Sequence, residues 1–140
     1  MAKTSESLIS AESRERLREV SSALLRLHKA LLDDERAQFE RVRGRIESSG
    51  EFLQLMLHDE WFAYLRPLSA LVVQIDELLD AEEATKEEAD ALVAQARAML
   101  KPSETGSEFE RRYYAAIQRD PEVIFAQREV LQLLKGGIYA

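Results

Sequence analysis

The stretch DEWFAYLRPLSALVVQIDELLD, Asp59 to Asp80, decides how the rest of the chain is read. It holds the only Trp and the densest run of large apolar residues. Wound at 100° per residue, it places Trp61, Leu65, Leu68, Val72, Ile75 and Leu79 on one face. Phe62, Leu71, Val73 and Leu78 widen that face, and so broad a stripe implies burial against more than one neighbour. Asp59 precedes the run and can cap its first turn. Pro67 lies inside the pattern, where it removes a hydrogen bond, so a kinked or two-piece helix is expected near Tyr64 to Pro67.

Upstream, Leu17, Val20, Leu24, Leu27, Leu31, Phe39, Val42 and Ile46 keep helical spacing, with Ser10 as the cap of a long first helix. Met1 to Ile9 reads as a frayed start. Gly44 falls near the end of that helix, and Ser48-Ser49-Gly50 is its stop. Glu51 to His58 is short and apolar and reads as a helical turn leading into the central stretch. Downstream, Thr85 to Glu88 has capping-box spacing. The helix it opens has Ala89, Leu92, Val93, Ala96, Met99 and Leu100 inward. Ser107 caps a helix with Phe109, Tyr113, Ala116 and Ile117 inward. Asp120-Pro121 then starts a last helix with Val123, Ile124, Val130, Leu131 and Leu134 inward. No stretch reads as a strand.

The reading is therefore all-α: an antiparallel helical bundle of four main helical units with one or two broken helices. Residues 1–10 are expected to be a flexible N-terminus, 11–135 a single bundle domain and 136–140 a tail. A length of 140 residues suits one core. Five Gly and three Pro are few, which favours long helices over a turn-rich sheet.

Composition excludes several chemistries. The chain has no Cys, so disulfides, zinc–thiolate sites and thiol catalysis are ruled out. The net charge of -7 argues against a nucleic-acid surface. Leu68 to Ile75 is the longest apolar run and is far below membrane-spanning length. Residues 1–10 lack the apolar core of a signal peptide, so a cytoplasmic protein is expected. The charge is uneven: Asp59 to Asp90 balances to -8, and Ala11 to Glu47 to +1. Those stretches can complement each other within one fold or across a homodimer.

Several polar residues occupy positions that the helical pattern reserves for apolar ones. His28 and Glu35 project from the apolar face of the first helix. Arg66 and Asp76 flank the stripe of the central stretch, with His58 and Ser69. Arg112 borders the face of Phe109 and Tyr113. Together His28, Glu35, Arg66, Asp76, Arg112 and Tyr113 are the ligand-binding candidates, for a small molecule or a metal held in a helical interior. The metal version is weak, because neither Glu-x-x-His nor His-x-x-x-His spacing occurs. No catalytic residue and no cofactor is assigned: there is no phosphate loop, nucleophile elbow or metalloprotease motif. The more economical reading pairs these groups across helices, Glu35 or Asp76 with Arg66 or Arg112, because buried charges are normally paired. It makes the chain a non-enzymatic protein–protein interaction module.

From His58-Asp59-Glu60-Trp61-Phe62-Ala63-Tyr64-Leu65-Arg66-Pro67-Leu68-Ser69, through Phe109-Glu110-Arg111-Arg112-Tyr113 to Arg119-Asp120-Pro121, the chain resembles a group of small, all-helical bacterial hypothetical proteins of unknown function. The resemblance implies a bacterial, cytoplasmic protein and carries over no catalytic residues.

Overall fold

The structure, a computed structural model, describes residues 7–135. Every regular element among them is helical: α1 (Ala11–Arg43), α2 (Ser49–His58), a 3-10 helix (Glu60–Leu65), α3 (Arg66–Asp80), α4 (Lys86–Met99), α5 (Glu108–Arg119) and α6 (Pro121–Lys135).

Local chemistry explains the boundaries. Ser10 opens α1 by accepting the Ser13 N–H at 3.0 Å, with Glu12 near the positive end of the helix dipole. Gly44 closes it at φ 95°, a conformation that a side chain would strain. The helical spacing predicted through Ile46 thus stops at Arg43. Ile46 is still buried, because Glu40 turns back to accept its N–H at 2.8 Å. Val42, expected inward, is 70% exposed, since it sits in the last turn beyond the packed part of α1. Gly50 does not stop a helix. It lies in the first turn of α2, which Ser48 caps.

The central stretch is in two pieces, as Pro67 predicts. Asp59 accepts the Trp61 N–H at 2.8 Å and opens the 3-10 helix, and α3 starts at Arg66. Pro67 therefore stands in the first turn of α3, where a missing N–H costs nothing. Val73, expected to widen the inward face, is exposed, because in α3 it stands about 100° from Val72 and further from Leu68 and Ile75. Reciprocal capping boxes open α4, from Thr85 and Glu88, and α5, from Ser107 and Glu110. At the start of α6, Asp120 accepts the Glu122 N–H at 3.0 Å. Leu131 of α6, expected inward, is partly exposed beside the end of α4.

The main core joins α1, α3, α4, α5 and α6. Leu17, Leu24, Leu27 and Leu31 of α1 are fully buried in it, and each such side chain contributes about 2 kcal/mol. α1 packs on α6 and α3 along its length. A second, smaller core holds Phe39, Ile46 and Phe62, with Phe52 and Trp61 packed against it. Its rings meet at 5.5–5.8 Å, Phe39 with Trp61 edge-on and Phe52 with Phe62 likewise.

The expected fraying of the start is corrected for Ser7 to Ile9. The Lys86 N–H donates to Ser7 O at 2.8 Å and the Ile9 N–H to Ala84 O at 3.0 Å. Leu8 forms an isolated antiparallel bridge with Thr85, and Ile9 joins the core. This strap satisfies backbone groups at the turn between α3 and α4. Residues 1–6 and the expected tail, 136–140, lie outside the described residues. Three guanidiniums close helix ends in the same way. Arg14 donates to Leu79 O at the end of α3, Arg66 to Met56 O of α2, and Arg97 to Leu134 O of α6.

Candidate functional site

Where α1 meets α5, two carboxylates face two guanidiniums. The carboxylates are Asp34 and Glu35, neighbours in sequence and both buried, Glu35 to 2% exposure. Side chains one apart on a helix diverge by about 100°. The pair therefore splays, and Arg119 bridges the splay. Its Nε donates to Asp34 Oδ2 at 2.9 Å and its Nη2 to Asp34 Oδ2 at 2.5 Å and to Glu35 Oε1 at 3.0 Å. Arg112 takes the other Glu35 oxygen, Oε2, at 2.6 Å, and also donates to Trp61 O at 3.2 Å. Arg112 and Arg119 are seven residues apart on α5, two turns, so both reach α1 from one face.

The network is charge-balanced and uses every carboxylate oxygen. The Arg112 guanidinium also stacks over Tyr64 at 4.5 Å and lies 5.8 Å from the Trp61 ring. Burial pushes the Tyr64 phenol well above its ordinary value, and the nearby Glu35 charge adds to this. Burial acts to lower the Arg119 guanidinium, but the Asp34 hydrogen bonds and the charges of Asp34 and Glu35 outweigh it and hold it raised. Two buried donors at this end of the molecule have no protein partner, Tyr64 Oη and Trp61 Nε1.

Of the six candidates read from the sequence, the structure brings only Glu35 and Arg112 into contact. His28 and Arg66 line a separate groove of about 270 Å³, floored by Leu32, Phe62 and Leu65 and edged by α2. Burial there lowers the His28 imidazole below its ordinary 6.5. Asp76 stands apart and accepts from Ser21 Oγ at 2.6 Å. Tyr113 is fully buried beside Phe109, ring centroids 5.5 Å apart, and belongs to the core. Burial raises its phenol, while Gln127 acts in the opposite direction.

The expected pairing of Glu35 with Arg112 is present; Asp76 meets neither of its expected partners. Asp34 and Arg119 were not singled out by the helical pattern. Asp34 is adjacent to a residue already on the apolar face, and Arg119 sits in a last turn where a cation is ordinary. The one available signal is arithmetic: Arg112 and Arg119 repeat the seven-residue spacing of His28 and Glu35. Among the described residues, no three His, Asp or Glu side chains are grouped to hold a metal ion. No helix among them is long and apolar enough to cross a membrane.

Chemically, the Asp34–Glu35–Arg112–Arg119 network is a clamp between α1 and α5. Both Glu35 oxygens already accept from guanidiniums, and each Arg shares its charge with a carboxylate. The groove beside α2 is different in kind. It is apolar, open on one side and bordered by a half-buried imidazole.

An all-helical chain with a closed ionic clamp and an open apolar groove is the class that fold and site define. Comparison with known proteins adds no name to it: no family model, no curated protein and no solved structure matches this chain.

Proposed function

We propose that this chain is a non-enzymatic protein–protein interaction module of the cytoplasm, an antiparallel four-unit helical bundle that receives an apolar helix of a partner protein beside α2. The observation that carries the reading is α2 itself. It has Phe52, Leu53, Leu55, Met56 and Leu57 within ten residues and fully buries none of them: Phe52 and Leu55 lean on the smaller core, and the rest of the apolar face is left toward the groove. Leu53 and Leu57, one turn apart, are 48% and 53% exposed and edge the His28–Arg66 groove. Contiguous exposed apolar surface rimmed by polar groups marks an interaction site. A groove of this shape suits an amphipathic helix with anchors at helical spacing.

The test is a photo-crosslinking residue at position 57, with position 74 on the exposed face of α3 as control. A discrete protein adduct at 57, lost when Leu53→Ser is introduced beside the crosslinker, is the expected result. The reading fails if no adduct forms at 57. It fails equally if a separate variant carrying Leu53→Ser and Leu57→Ser melts well below the parent, since those leucines would then serve the fold.

A second reading is a small-molecule site at the ionic clamp. Tyr64 Oη and Trp61 Nε1 favour it, as buried donors without protein partners. Native mass spectrometry of gently purified protein decides this. Bound extra mass that disappears in Tyr64→Phe supports the small-molecule site; a bare chain mass removes it.

A further inference from the structure

Along α4, Glu87, Asp90, Ala94 and Arg97 recur at spacings of three, four and three, so they share one side of the helix, and Lys101 follows just past its C-cap. All five are exposed. The sequence of charges along that side is negative, negative, neutral, positive, positive. It inverts about Ala94: Glu87 and Lys101 lie seven residues to either side, Asp90 and Arg97 four and three. Lys101 is one residue beyond the C-cap Leu100. A pattern that inverts about its centre is complementary to a second copy of itself laid antiparallel. Such a contact is the isologous kind that two-fold symmetry generates.

The same side borders a groove of about 640 Å³ between the ends of α4 and α6. Arg97, Lys101 and Arg128 rim it, and Leu100, Leu131 and Leu134 form its floor, with Leu131 40% exposed. Its charges are unspent. Among the described residues, none of Glu87, Asp90, Lys101 and Arg128 makes an ion pair. The exposed face of α1 is the contrast: Arg16 pairs with Glu12, Arg18 with Glu15, Lys29 with Asp33 and Arg26 with Glu129. A cationic groove with an apolar floor, on a chain of net charge -7, calls for an acidic helix as its occupant. The acidic first turns of α4 are such a helix.

We infer that the chain forms a two-fold dimer in which α4 of each copy lies antiparallel in the α4–α6 groove of the other, its Glu87 and Asp90 against the partner's Lys101 and Arg97. This goes beyond the α2 reading and uses a different surface. Ala94 at the centre lets the two helix backbones approach closely, and Leu131 loses its water. Arg97 keeps its bond to Leu134 O and contributes its remaining N–H groups.

Sedimentation velocity on the full chain tests this in low and high salt. A dimer is expected in low salt, with its association weakened at least about tenfold in half-molar salt, where charges are screened within a few ångströms. Glu87→Lys alone and Lys101→Glu alone each set like charges opposite one another and give monomers. Both positions are exposed, and unchanged circular dichroism and melting temperature confirm that the variants fold. An equimolar mixture of the two single variants recovers a dimer, and so does one chain carrying both changes. A monomer in low salt overturns the inference. So does a dimer that ignores these charges, or one lost in Leu57→Ser, which would place self-association on α2 instead.

Discussion

Glu35 is the residue on which most depends for its size. It is buried, acidic and held by two guanidiniums from another helix. Glu35→Ala leaves Arg112 and Arg119 facing a vacated pocket, with Asp34 beside Arg119 and Glu108 beside Arg112 to compensate in part. Removing one member of a buried pair costs about 3 kcal/mol or more. Both arginine side chains are about one-third exposed and recover some hydration, so the expected loss is about 2–3 kcal/mol in urea unfolding. A double-mutant cycle with Arg112 should return a coupling of about 1 kcal/mol or more, and additive single losses would count against the clamp. His28 makes a different prediction. Burial lowers its folded-state value, so the unfolded chain binds the proton more readily. That penalty is absent above the ordinary 6.5 and grows as pH falls through it toward the folded value. The melting temperature should therefore drop between neutral pH and pH 5 by more in the parent than in His28→Gln, and parallel curves would remove His28 as a cause. At this scale the sequence shows which residues are out of place in an apolar face. It does not show their partners. Glu35 and Arg112 are 77 positions apart, and only the packing of α5 on α1 joins them.

Helix ends are the most legible feature, because their chemistry is local. Ser10, Thr85, Ser107 and Asp120 each cap the helix whose start they mark in the sequence. Thr85→Ala and Ser107→Ala should each cost about 1 kcal/mol. Gly44→Ala should cost a similar amount through its positive φ, although a methyl group there meets no neighbour. An equal loss in Gly44→Asn would assign the cost to backbone strain, since φ 95° with ψ 170° is a region that only glycine occupies readily. The two-piece central stretch is legible from Pro67 for the same local reason. What periodicity misjudges is the outward turn of Val42, Val73 and Leu131. Each is apolar at a plausible inward angle. Whether a neighbour arrives to cover it depends on where other helices end. α2 is the extreme case: Phe52 and Leu55 pack on the smaller core, while Leu53 and Leu57 of the same short apolar helix stay exposed.

At the scale of the molecule, all-helical class was legible from composition and period. The assignment of helices to neighbours was not. The N-terminal strap shows why. Nothing in Ser7-Leu8-Ile9 announces that it will pair with Thr85, since the pairing uses backbone groups that every residue has. The contact of α1 with α6 is of the same long-range kind, and it bears on how the chain is made. α1 precedes the other described helices, and the part of its apolar face that packs on α6 waits for a helix about a hundred residues later. While it waits, that part of the face is open to other chains. Synthesis at about 5–20 residues per second leaves that face unattended for several seconds in every round. Slowing translation ahead of α6 should therefore lower the yield of folded chain before it changes the stability of the finished fold.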